Sequence, residues 1–131
     1  MNHYITTVEG FGRCVIAAQD ISKDKLLFTA ELLTLSPEDT VKINETDLQY
    51  YTFKYNDKQD CIVLGDGELF NHSDSPNVGY KLIDWGNAGR LVMAFYTLVD
   101  VEKGEQFFID YCADTKVDLF NYKVNLFQAQ D

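Results

Sequence analysis

The sequence predicts a mainly β domain built from several short sheets, with few short helices. Three observations carry that reading. Short apolar stretches are separated by clusters of Gly, Asn, Asp and Ser, the rhythm of strands and tight turns rather than of a helical bundle. A length of 131 residues allows one core and no second lobe. Hydrophobic residues make up 46% of the chain, including nine Phe, eight Tyr and one Trp, which excludes a disordered composition.

Taken in order, the first strand is expected over residues 4–8 and the second over 14–18, with a glycine turn at 10–12 between them. A long apolar run predicts a third strand over 26–35. Residues 37–55 read as the one helical region: Ser36 precedes Pro37 at the first helical position, and Glu38 and Asp39 fill the first turn. A break near Asn44 divides it into two short pieces. Further strands are expected over 61–64, 78–82, 91–97 and 106–111, with turns at 65–67, 73–77, 86–89 and 103–104. Residues 112–131 mix Phe120, Tyr122 and Phe127 with charges, as an amphipathic tail lying on the body would. There is no repeat, linker or low-complexity segment.

The charge excludes some partners. Eleven Lys and Arg against 21 Asp and Glu leave a net charge of −10, with arginine only at positions 13 and 90. Binding a nucleic-acid backbone needs clustered cations, so direct nucleic-acid contact is not expected. A field of that sign concentrates Lys-rich or Arg-rich peptides, although solubility alone accounts for it equally well. The longest apolar run, residues 91–99, is too short for a membrane helix, and the amino terminus lacks the pattern of a secretion signal, so no membrane association is expected. Cys14, Cys61 and Cys112 are widely spaced, without Cys-x-x-Cys, which argues against a structural metal. Three scattered thiols fit an intracellular, reducing compartment such as the cytoplasm.

Four features offer chemistry. Gly10-Phe11-Gly12 enters a strand, Arg13-Cys14-Val15, and lets backbone approach a ligand, as it would also let a plain hairpin turn. Leu69-Phe70-Asn71-His72-Ser73-Asp74-Ser75-Pro76-Asn77 places polar Asn71 and His72 beside an apolar anchor, where buried polar groups must find partners. Gly104-Glu105 leads through an apolar strand to Asp110-Tyr111, where a tyrosine is ordinarily packing with a hydrogen-bonded hydroxyl. Finally, aromatic residues are dense, with Tyr50, Tyr51, Phe53, Tyr55, Tyr80, Trp85, Tyr96 and Tyr111 all available; some belong to the core, and the eight tyrosines of the chain could supply a hydroxyl-lined apolar channel.

In this order the features resemble the SET domain of protein lysine methyltransferases, specifically its small, zinc-free bacterial and viral type. The family opens with Gly-x-Gly and a short apolar strand, here Gly10-Phe11-Gly12 and Val15-Ile16-Ala17. Its central signature is Asn71-His72-Ser73-x-x-Pro76-Asn77 after Leu69-Phe70. It closes with Gly104-Glu105, an apolar strand and Asp110-Tyr111. Tyr51-Thr52-Phe53 is similar to the Tyr-x-Phe element after the variable helical insert. The resemblance spans about residues 4–112, one SET core with an insert over about 37–55 and a tail at 113–131.

The resemblance implies a β-clip architecture with a knot-like carboxyl-terminal crossing that brings Asn71-His72 beside Asp110-Tyr111. It implies methyl transfer from S-adenosylmethionine to a lysine amine. Gly10, Phe11, Gly12 and Arg13 would hold the methionine end of the cofactor; Asn71 and His72 would bind it through side-chain amide and backbone groups. Tyr111 matches the catalytic tyrosine, which would also border the cofactor. Tyr80 and Tyr51 match walls of the lysine channel, with core packing as the alternative for each. Ile109 stands where many members carry Phe or Tyr, a departure that bears on how many methyl groups are added. The cysteine-rich zinc segment of many histone enzymes is missing, and residues 113–131 are the candidate substitute cover. The implied substrate is a lysine-containing basic protein, and small members occur as monomers and homodimers. Two rival readings differ in class: a catalytically silent module that binds basic peptides, and a hydrolase using Cys14, Cys61 or Cys112 with His72 as base.

Overall fold

The computed structural model describes residues 2–84 and 90–111. Within them, ten strands form four small sheets, accompanied by one α-helix and two 3-10 turns. Strands β1 (His3–Val8) and β2 (Gly12–Ala17) make an antiparallel hairpin in which Val8 faces Gly12 and His3 faces Ala17. The turn requires its glycines, because Gly10 and Gly12 sit at φ 88° and 75°, a region that side chains disfavour. Cys14 to Ala17 are buried, and the hairpin is tied to the far end of the chain by Phe107 N–H donating to the Val15 carbonyl at 2.8 Å.

Strand β3 (Leu26–Ala30) joins β9 (Leu91–Thr97) and β8 (Val78–Asp84) in an antiparallel sheet of order β3-β9-β8. A second three-stranded sheet, of order β4-β6-β5, contains β4 (Leu32–Thr34), β5 (Thr52–Lys54) and β6 (Asp60–Val63). Strand β7 (Asn71–His72) pairs in parallel with β10 (Phe108–Ile109), Asn71 opposite Phe108 and His72 opposite Ile109. Two segments nearly forty residues apart in sequence thus share one ladder.

Several expectations change. The apolar run 26–35 is two strands, because the chain passes at Glu31 from the β9 sheet to the β6 sheet; the Glu31 carbonyl accepts from Leu64 N–H there at 2.9 Å. The helical region holds α1 (Pro37–Ile43), capped by Ser36 Oγ accepting from Asp39 N–H at 3.1 Å and ended at Asn44. A 3-10 turn, Asp47–Tyr51, follows. Residues 52–54 are strand rather than helix, since Phe53 pairs opposite Cys61. The expected strand 106–111 shortens to two residues, while 78–82 extends to Asp84, opposite Leu91. The turn at 86–89 and the tail from Cys112 lie outside the described residues. Among the described residues, no helix is long and apolar enough to cross a membrane.

The core is aromatic where the sheets meet. Phe95 on β9 lies 4.9 Å from Phe70 and 5.0 Å from Phe28 between ring centres, and Phe53 stands edge-on to Tyr80 at 5.0 Å. Burial of each such ring contributes about 1.5–3 kcal/mol. Phe53, Phe70 and Tyr80 also line the site described next, so the aromatic core supports it directly.

Candidate active site

Tyr111 follows β10 by two residues and is held at three points. Its backbone N–H donates to His72 Nδ1 at 3.0 Å, its ring lies 5.1 Å from the imidazole, and its hydroxyl donates to the Phe70 carbonyl at 2.6 Å. The first bond fixes the tautomer: a nitrogen that accepts cannot carry the proton, so Nε2 carries it and donates to Asp74 Oδ1 at 2.9 Å. His72 is therefore a brace for Tyr111. Burial pushes the Tyr111 phenol above its ordinary range, reinforced by the nearby Tyr51 and Glu68, so the hydroxyl stays protonated at neutral pH.

Asn71 works on the other side of the same ladder. Its Nδ2 donates to the Arg13 carbonyl at 3.0 Å and to Gln106 Oε1 at 2.8 Å, and this pair of acceptors settles which amide atom is nitrogen. Asn71 so joins the end of the glycine turn to the closing segment. Asn77 does the equivalent for β10: Nδ2 donates to the Gln106 carbonyl at 2.9 Å while Oδ1 accepts from Phe108 N–H at 2.7 Å. One side-chain amide replaces a neighbouring strand.

Tyr80 is buried, and its hydroxyl donates to the Asp110 carbonyl at 2.8 Å. Together with Tyr51, Ile109 and Tyr111 it lines a cavity of about 250 Å³, completed by Phe53, Phe70 and Glu68. The four residues expected at the channel and its reactive end thus share one space. That volume lies below the roughly 300–1,000 Å³ of small-molecule sites and suits an inserted side chain. Successive strand residues point to opposite faces. Ile109 meets the cavity, whereas Phe108 meets Phe11 of the glycine turn at 5.8 Å, so β10 separates the tyrosine-lined space from residues 10–13.

Glu68 is the residue that the motifs did not single out. It follows Gly67 on the 3-10 turn Gly65–Glu68, and Gly67 packs so closely that a Cβ there would stand 2.5 Å from Val63 Cγ1 and 3.0 Å from Phe95. That approach draws Glu68 into the cavity wall, where Oε1 accepts from Val63 N–H at 2.8 Å. Burial raises its carboxyl to about 7, against the lowering effect of the Val63 bond. The signal in sequence was only an acid beside turn glycines.

The hydrolase reading loses its parts. Both His72 nitrogens are engaged as above, and burial, aided by Glu68 and Asp60, pushes the Cys61 thiol up to about 12. Cys14 is buried with its sulfur against the Gly12 carbonyl and the Asn71 amide, and Cys112 lies outside the described residues. Among the described residues, no grouping of His, Cys, Asp and Glu could hold a metal ion.

Known proteins share the sequence pattern and the fold of this chain. The SET domain family model matches residues 12–112. A histone-lysine N-methyltransferase specific for H3 lysine-37 from Schizosaccharomyces pombe is 29% identical over 108 residues, 82% of this chain and 71% of the relative. Among solved structures, the Cryptosporidium protein CpSET8 is 27% identical with a TM-score of 0.68, over 88% of this chain and 59% of that one. A Plasmodium falciparum protein assigned as a histone methyltransferase has a TM-score of 0.68 at 22% identity, over 86% of this chain and 95% of its own. The Neurospora SET domain protein DIM-5, a histone lysine methyltransferase, shares the fold at a TM-score of 0.67 and 16% identity, over 86% of this chain and 52% of its own. With its mainly β fold of small sheets and a family match over most of its length, the chain belongs to the SET domain family of protein-lysine methyltransferases.

Proposed function

We propose that the protein transfers a methyl group from S-adenosylmethionine to a lysine side-chain amine in a basic protein. One observation carries the reading: Tyr111, its hydroxyl anchored on the Phe70 carbonyl, borders a side-chain-sized cavity on one face of β10 while the glycine turn lies toward the other. Such a partition suits two reactants that meet end to end.

Residues 10–13 fit the amino-acid end of the cofactor. At Gly10 and Gly12 nothing lies within 4 Å of where a Cβ would stand, so a ligand can approach the backbone, and Phe11 offers a half-exposed ring. Gly10, Phe11, Gly12 and Arg13 with Asn71 and His72 are the proposed binding set. S-adenosylmethionine, when bound, supplies a methyl group on a sulfonium centre. The remaining work is alignment, because an in-line displacement by a neutral amine needs little else at the transition state. Tyr51, Tyr80 and Ile109 confine the lysine stem, their apolar surfaces disfavour the ammonium form, and the Tyr111 oxygen orients the amine.

The net charge of −10 supports a basic substrate through long-range attraction. The buried thiols Cys14 and Cys61 suit a reducing compartment. The test is calorimetric titration with S-adenosylmethionine together with labelled methyl transfer to a mixture of basic proteins. Saturable binding with transfer is expected. Binding without transfer to any of them favours the silent peptide-binding module, and no binding overturns the reading.

A further inference from the structure

We infer that Glu68 is the proton acceptor for the incoming lysine: its carboxylate receives the alkylammonium in the tyrosine-lined cavity, takes one proton from it and releases a neutral amine. This rests on the methyltransferase reading above and goes beyond it, since alignment alone leaves unexplained how an amine that is protonated in water becomes a nucleophile. Lysine ordinarily titrates near pH 10.4, so at neutral pH it arrives as the ammonium form.

The cavity wall holds few groups that could take a proton. The Tyr111 hydroxyl donates to the Phe70 carbonyl, and the Tyr80 hydroxyl donates to the Asp110 carbonyl. Tyr51 is a phenol on the half-exposed rim, and Cys61 behind the wall keeps its proton. Glu68 is the one carboxylate in the lining among the described residues. Its Oε1 is fixed by Val63 N–H at 2.8 Å, and no other hydrogen bond to the carboxylate forms among the described residues. Glu68 and Tyr111, the group that would orient the amine, line the same cavity, so acceptor and orienting hydroxyl face one space. A carboxyl raised to about 7 by burial exchanges protons where a neutral-pH enzyme needs it.

The balance is simple. One N–H bond of the ammonium breaks and its proton forms an O–H bond on Glu68; the freed nitrogen lone pair then bonds to the methyl carbon as the carbon–sulfur bond breaks and sulfur keeps the pair. The methylated ammonium leaves, and Glu68 loses its proton to water at the mouth of the cavity, where Tyr50 is 72% exposed.

The test compares wild type, Glu68→Gln and Glu68→Asp in labelled methyl transfer to a basic protein between pH 6 and 10, with thermal melts and S-adenosylmethionine affinity alongside. Glutamine keeps the volume and can still accept from Val63 N–H. Its kcat is expected to fall about a hundredfold or more at pH 7, with cofactor affinity unchanged. The wild-type acid limb near pH 7 should vanish from Glu68→Gln, replaced by a rate that climbs toward the lysine's own pKa, and Glu68→Asp should restore the limb in part. A purely structural role would lower the rate by one factor at every pH. If wild type transfers methyl and Glu68→Gln keeps its rate and profile, the assignment to Glu68 is overturned while the methyltransferase reading stands. If wild type transfers nothing, both fall. Should Glu68→Gln fail to fold, the profile of Glu68→Asp decides: an acid limb shifted with the new carboxyl supports the assignment, and an unshifted one overturns it.

Discussion

Replacing Asn77 by alanine tests whether one side-chain amide holds the closing strand in place. The substitution removes two hydrogen bonds, Nδ2 to the Gln106 carbonyl at 2.9 Å and Phe108 N–H to Oδ1 at 2.7 Å, and leaves both backbone groups without their partner. An unsatisfied buried group costs about 1–3 kcal/mol. Both are only partly buried here, so the lower end applies and the total is about 2–3 kcal/mol. For a domain of this size that lowers the melting temperature by about 10 °C. The assay is urea unfolding followed by circular dichroism, with an unchanged denaturant slope showing that the unfolded state is the same. Asn77→Asp is the informative companion. It can still accept from Phe108 N–H but turns an oxygen toward the Gln106 carbonyl, so it should be no more stable than alanine. Because Tyr111 lies on the same closing segment, a displacement of about 1 Å would also cost roughly a hundredfold in transfer rate. A loss below about 0.5 kcal/mol for Asn77→Ala would refute the reasoning, since water would then satisfy both groups as well as the amide does.

Two further predictions concern stability. Gly67→Ala forces a methyl group to 2.5 Å from Val63 Cγ1 and 3.0 Å from the Phe95 ring, and Val63 is a buried β-branched side chain with little room to move. It should cost about 1–3 kcal/mol in chemical denaturation, and a neutral result would mean that the 3-10 turn shifts freely. For Glu68 the sign follows from its raised folded carboxyl. The folded state holds the proton more tightly than the unfolded chain, so between the ordinary glutamate range and about pH 7 rising pH removes stability, and below that window the contribution is fully present. Wild type should therefore lose melting temperature relative to Glu68→Gln between pH 5 and pH 8; parallel curves would show that the carboxyl is not held protonated.

Much of the fold was legible because its strands carry their own signals. The hairpin of β1 and β2 followed from Gly10-Phe11-Gly12 between apolar runs, and the start of α1 from Ser36-Pro37 and its acids. What the chain could not show locally was which strand pairs with which. The apolar run 26–35 looks continuous because both halves are strand; only the change of partner from β9 to β6 divides it. Residues 52–54 carry no signal that separates them from the preceding helical stretch, because three residues have no period of their own, and β6 recruits them as strand.

The site divides in the same way. Tyr51, Tyr80, Ile109 and Tyr111 were named through the family's motifs and meet at one cavity, a convergence that no spacing in the sequence displays. Asn77 was legible as part of a signature, but its bridging of Gln106 and Phe108 depends on a segment nearly thirty residues away. Glu68 was hidden most completely. In sequence it is an acid beside glycines, the pattern of a solvated turn, and it becomes part of a wall only because Gly67 lacks a side chain and can press against Phe95.

The central claim is that Tyr111 orients a lysine amine for methyl transfer, and Tyr111→Phe addresses it most directly. Phenylalanine keeps the ring beside His72 and removes only the hydroxyl that donates to the Phe70 carbonyl at 2.6 Å. The measurement is single-turnover transfer of labelled methyl to a basic protein, with S-adenosylmethionine affinity measured on the same samples. Transfer should fall about a hundredfold or more with cofactor affinity retained. Transfer at the wild-type rate by Tyr111→Phe would contradict it.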